Sequence, residues 1–88
     1  MEEKCQEQWE IFVNFCQKET QEIDKAAKAH FALSEFVRNE SPGLLDVDKL
    51  RSFEARVVES DAEVVRLAKA RKQAYRDWLN CLGGDPSI

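Results

Sequence analysis

The side chains best suited to nucleophilic, acid–base or metal chemistry are a single histidine, His30, and three cysteines, Cys5, Cys16 and Cys81. A general base needs a hydrogen-bonding partner and a pocket. His30 instead falls at helical spacing between Ile23 and Val37, where a packed histidine is expected. Cys5 and Cys16 lie eleven residues apart. That is about 16 Å along a helix, too far to share a zinc ion through ~2.3 Å bonds. Cys5 and Cys81 can meet only if the chain folds back on itself, and two thiols fall short of a four-ligand site. The cysteines therefore read as small, reduced, buried apolar residues, and no metal or cofactor is expected. No Gly-rich phosphate loop, HExxH, CxxC or serine-centred motif occurs in the sequence, so the expectation is a non-enzymatic protein.

Two charged features remain. Arg66, Lys69, Arg71, Lys72 and Arg76 form a run without an acid, net +5 over residues 66–76. Residues 2–24 hold seven acids and two lysines, net −5. A nucleic-acid reading of the basic run stands against an overall charge of −4 and a pI near 5.0. Nucleic-acid binders present an uncompensated basic face, so a small nucleic-acid-associated regulator using Arg66–Arg76 is the secondary reading. The outward cations Arg66, Lys69 and Arg76 suit an acidic protein surface instead.

The elements that must position these groups follow from the punctuation. Pro42-Gly43 separates two long segments free of other Pro and Gly, the next being Gly83, Gly84 and Pro86. Apolar or small residues recur at 5, 9, 12, 16, 23, 26, 30, 33 and 37, with Glu19 in the one gap. The second segment repeats the rhythm at Val47, Leu50, Phe53, Val57, Val64, Leu67, Ala74, Trp78 and Cys81, with Ser60 and Arg71 as polar members. Steps of three and four build a helical stripe and exclude the two-residue period of strands. The prediction is an all-α chain of two long helices, about 3–39 and 44–82. Arg38 and Asn39 close the first. Ser41-Pro42 or Asp46 starts the second, and Gly83 ends it. Ser60-Asp61-Ala62-Glu63 has capping-box spacing, so a break near Ser60 giving three helices is the alternative.

A short Pro-Gly connection makes the helices antiparallel neighbours. Folding about residue 43 or 44 pairs positions whose numbers sum to about 87: Val37 with Leu50, His30 with Val57, Trp9 with Trp78, Cys5 near Cys81. The acidic and basic blocks then lie side by side, so pattern and electrostatics agree. Glu19 and Arg71 come within about a turn of each other and read as a pair that fixes register.

Composition bounds the rest. Eighty-eight residues allow one helical-hairpin domain, 1–88, with a short tail at 83–88. Leu, Ile, Val and Phe make up a quarter of the chain, enough to fold but only around a thin core. No stretch approaches a membrane span. Met1-Glu2-Glu3-Lys4 lacks the basic, apolar character of a signal peptide, and three cysteines point to a reducing cytoplasm. A slender hairpin buries one stripe per helix, which leaves Ile11, Phe15 and Phe36 on the first helix and Val58, Val65 and Leu79 on the second without cover. Such a patch is too contiguous for a comfortable monomer. It calls for self-association into a dimeric four-helix bundle or for docking on another protein, with Val58, Val65 and Leu79 as its centre and Arg66, Lys69 and Arg76 flanking it. In general shape a small acidic helical hairpin is similar to type III secretion chaperones, phage-encoded inhibitors of host proteins and helical-bundle adaptors. That likeness is compositional and selects none of them.

Overall fold

A computed structural model describes residues 5–40 and 42–83. The chain is all-helical, with no strand among the described residues. Helix α1 spans Gln6–Asn39 and helix α2 spans Val47–Cys81, joined through a short 3-10 turn at Pro42–Leu44. The two helices pack against each other as an antiparallel hairpin. The pairs Trp9–Trp78, Glu19–Arg71, His30–Asp61 and Phe36–Phe53 show the direction. Their residue numbers sum to between 87 and 91, so the expected register holds to within about a turn.

The helix ends explain the boundaries. Asp46, not Ser41-Pro42, starts α2: its carboxylate accepts the backbone N–H of Lys49 at 3.1 Å, and Leu50 N–H closes on the Asp46 carbonyl at 3.0 Å. The second helix therefore begins three residues later than predicted; Ser41 lies outside the described residues. At the other end Gly83 takes a φ of +82°, and its N–H reaches the Asn80 carbonyl at 3.0 Å. This is the left-handed C-terminal cap for which glycine carries no Cβ penalty. Beyond Gly83 the tail lies outside the described residues. The alternative break near Ser60 does not occur, since α2 is continuous through Ser60-Asp61-Ala62-Glu63. Ser60 is half-buried, and the Asp61 carboxylate bonds His30 instead of capping a helix.

Cα packing divides the chain into two compact units, Met1–Thr20 with Val65–Ile88, and Gln21–Val64. In the first, which holds the start of α1 and the end of α2, Leu67 and Ala74 are buried, and aromatic rings of the two helices meet. Trp9 and Trp78 have centroids 4.9 Å apart, Phe12 and Tyr75 5.6 Å, and Phe12 stacks on Trp78 within 7° of parallel. Cys5 is fully buried and bridged to Cys81. The expectation of two reduced thiols is thus corrected. The antiparallel register brings their Cα atoms to 5.8 Å, within the ~4.4–6.8 Å that a disulfide requires. Cys16 remains free and half-buried.

The second unit, Gln21–Val64, is built on Ala26 and Val57, both buried, and on the Phe36–Phe53 pair at 4.9 Å. Here the predicted seam of α1 needs correction. Ile23, His30 and Val37 lie on the exposed flank, with Ile23 and Val37 about half accessible at 50% and 51%. The inward column instead runs through Glu22, Ala26, Ala29, Leu33 and Phe36, all buried or half-buried. Both columns share positions 26 and 33, so a sequence carrying apolar groups in each cannot say which one turns inward. On α2 the predicted stripe is the buried one throughout, Val47 excepted.

Candidate interaction surface

In the terminal unit the predicted partner residues separate by depth. Ile11 and Val65 are exposed. Phe15 and Leu79 are half-buried, and the Lys18 ammonium lies 5.5 Å from the centre of the Phe15 ring, covering part of it. Arg66, Lys69 and Arg76 are all solvent-exposed. The middle cation of the run is different. Arg71 turns inward, and its Nε–H donates to Glu19 Oε1 at 2.7 Å, with the two side chains only 31% and 15% accessible. The proposed register pair is therefore in contact. A shallow groove of the same unit is lined by Gln8, Ile11, Ala74, Asp77 and Asn80. In the same unit Gln8 Oε1 and Trp78 Nε1 are buried without a hydrogen-bond partner.

In the unit Gln21–Val64 the exposed apolar side chains are more numerous. Phe31 is 68% accessible and Val58 63%, and Leu44 and Val47 are exposed as well. Phe36, expected on the outer surface, is half-buried against Phe53. His30, expected in the seam, stands exposed and donates from Nε2 to the Asp61 carboxylate at 2.9 and 3.2 Å. Nothing in the spacing singles out this pair, because the summed register places His30 opposite Val57. Asp61 lies one turn further along the same helix. On the other side of the unit a groove floored by Ala29, Ala32 and Phe53 is rimmed by Lys25, Lys28 and Arg56. These cations are already engaged: Lys28 with Asp24 at 2.9 Å, Lys25 with Glu22 at 3.7 Å, and Arg56 over the Phe53 ring at 5.7 Å.

Chemically, these surfaces offer exposed aliphatic and aromatic groups set among ion pairs. Among the described residues no group of three or more His, Cys, Asp or Glu side chains converges on a metal-sized site, and no helix is long and apolar enough to cross a membrane. No protein-family model, curated protein or solved structure matches the chain.

Proposed function

We propose that this chain is a non-enzymatic protein–protein interaction module, an adaptor, chaperone or inhibitor that acts by docking a helix face on another protein or on a second copy of itself. One observation carries the reading. Among the described residues, nine large aliphatic or phenyl side chains, from Ile11 to Leu82, are more than two-fifths accessible, while only Cys5, Ala26, Val57, Leu67 and Ala74 are buried. Exposed apolar groups in that proportion are what a docking surface supplies and what a self-sufficient fold removes. Apolar anchors bordered by the cations Lys69 and Arg76 concentrate affinity while steering encounter.

The test is a paired pull-down from the native cell with the wild type and a Val58→Glu/Val65→Glu variant. A specific protein held by the wild type and lost from a still-helical variant supports the reading. Equal recovery by both removes it from this face. The nucleic-acid alternative keeps Lys69, Lys72 and Arg76 but loses Arg71, which the Glu19 carboxylate neutralises. A mobility shift that weakens steeply between two salt concentrations is its signature. A cytoplasmic site of action, proposed on the cysteine count, requires the Cys5–Cys81 bridge to open there, because reducing compartments keep thiols free.

A further inference from the structure

We infer that an outward stripe of α2 in the terminal unit, made of Val65, Lys69, Lys72, Arg76 and Leu79, docks an acidic helix of another protein; the inference rests on the interaction-module reading and names the chemistry of the partner. These positions follow one another at steps of four, three, four and three, which keeps them on one face of a helix. That face is turned away from α1, because Leu67 and Ala74, the buried residues of this part of α2, lie on the opposite side. Val65 is 54% accessible, Lys69, Lys72 and Arg76 are exposed, and Leu79 is half-buried at the edge of the stripe. Arg66 falls about 100° round the helix from Val65 and is not part of it.

The three cations differ from every other one in the chain. Of the thirteen lysines and arginines, nine have an Asp or Glu three or four positions away, the spacing at which side chains face each other on a helix. Lys25, Lys28, Arg38 and Arg51 use it in ion pairs with Glu22, Asp24, Glu35 and Asp48. Arg71 has no acid at that spacing and is met by Glu19 from the other helix. Lys69, Lys72 and Arg76 have neither. Their neighbours at three and four positions are uncharged or are other cations of the run, and no ion pair joins them to a described residue. Like charges at this spacing repel and destabilise the helix that carries them. A local choice that opposes the fold marks a site kept for binding.

Charge and spacing select the occupant. By sequence the terminal unit holds seven acids and seven bases, so the chain's net −4 resides in residues 21–64 and the stripe itself carries +3. The described acids of the unit lie off the stripe: Glu7 and Glu10 on α1, Glu19 against Arg71, and Asp77 accepting from Gln73 at 2.9 Å. Lys69 to Arg76 spans about 10 Å, in rises of about 4.5 and 6 Å. A partner helix repeats at those same steps, so carboxylates along one of its faces meet the cations one for one. Aliphatic groups at either end of that face cover Val65 and Leu79. A polynucleotide has no use for the two aliphatic ends, and no aromatic side chain stands on the stripe for a base to stack on.

Fluorescence anisotropy tests this, with the full chain titrated into a labelled helical peptide that carries three glutamates at steps of three and four between two leucines. Saturable binding at about 10–100 µM is expected, weakened at least tenfold when glutamines replace the glutamates and weakened again between about 50 and 500 mM NaCl. Lys72→Glu sets a carboxylate between Lys69 and Arg76 and is expected to raise the melting temperature while weakening the peptide at least tenfold, so its loss of binding is not a loss of fold. Val65→Ser is expected to weaken binding several-fold. Three results overturn the inference: no saturable binding below about 1 mM, equal binding of the glutamate and glutamine peptides, or a Lys72→Glu chain that binds as tightly as the wild type. Tighter binding of a single-stranded oligonucleotide of equal charge also overturns it and assigns the stripe to phosphates. Should no acidic peptide bind while a cellular partner is still lost from the Val58→Glu/Val65→Glu variant, the acidic occupant fails and the interaction module stands. Peptide binding together with equal recovery by both chains does the reverse.

Discussion

Arg71 and Glu19 meet across the two helices through a 2.7 Å hydrogen bond from Nε–H to Oε1, each standing where its helix otherwise presents apolar groups to the other. A charged pair that is mostly withdrawn from water offsets its own desolvation only when both partners are present. Removing one partner strands the other, so Arg71→Ala is expected to cost about 2–4 kcal/mol in urea denaturation. Replacing both, as Glu19→Leu/Arg71→Leu, is expected to return stability to within about 1 kcal/mol of the wild type or above it. A double replacement as damaging as Arg71→Ala would show that the pair stabilises the helices outright rather than choosing their register.

How far the fold could be read beforehand depends on the helix. On α2 the apolar set occupies one stripe, and Leu50, Phe53, Val57, Val64, Leu67, Ala74, Trp78 and Cys81 all turn inward as the spacing requires. On α1 the apolar set is wider than the hairpin can bury. Ile23 or Glu22, His30 or Ala29, and Val37 or Phe36 compete for adjacent columns, and hydropathy ranks Ile23 above the Glu22 carboxylate while leaving Val37 and Phe36 level. Packing decides otherwise, because the Phe36 ring finds Phe53 and His30 finds Asp61. The Glu19–Arg71 pair was legible because each member interrupts an otherwise apolar stripe at matching depth. The disulfide was not, since the proximity of Cys5 and Cys81 follows from register but their oxidation does not.

Asp46 controls where α2 begins. Its carboxylate takes the Lys49 N–H, one of the four donors that a helix start leaves without intrahelical partners. Asp46→Ala is expected to lower stability by about 1 kcal/mol, and Asp46→Ser by much less. Amide exchange at Lys49 and Leu50 reports it locally: both should speed up in the alanine variant while exchange at Leu67 keeps pace only with the global loss.

The Trp9–Trp78 contact at 4.9 Å should give a near-ultraviolet circular dichroism signal that either Trp→Phe substitution abolishes. Trp9→Phe keeps a ring against Trp78 and is expected to cost under about 1.5 kcal/mol. Trp9→Ala leaves Trp78 and Phe12 without that neighbour. It is expected to cost about 2–3 kcal/mol, at or below the low end for aromatic truncation because the site is only half-buried. Equal losses for phenylalanine and alanine would mean that the indole, not ring packing, is what the site requires.

The Cys5–Cys81 bridge closes a span of 76 residues, nearly the whole chain. Loop-closure entropy for a span of that size is worth about 4–5 kcal/mol, a large part of the stability of any domain this small. Cys5 is fully buried and Cys81 half-buried, so attack on the Cys5 sulfur waits until the helix ends separate, and that burial predicts a reduction limited by the opening rather than by the reductant. Three measurements bear on this. Thermal melts of the wild type with and without dithiothreitol should differ by many degrees once reduction is complete. Cys5→Ser should melt low in both conditions and Cys16→Ser like the wild type in both. The rate of reduction should level off as dithiothreitol is raised and should increase in Arg71→Ala, where the terminal unit is weakened. A reduction rate that climbs in proportion to reductant without limit would show that the bridge is reached directly from the folded state, and the clasp at the helix ends would then be open to solution thiols.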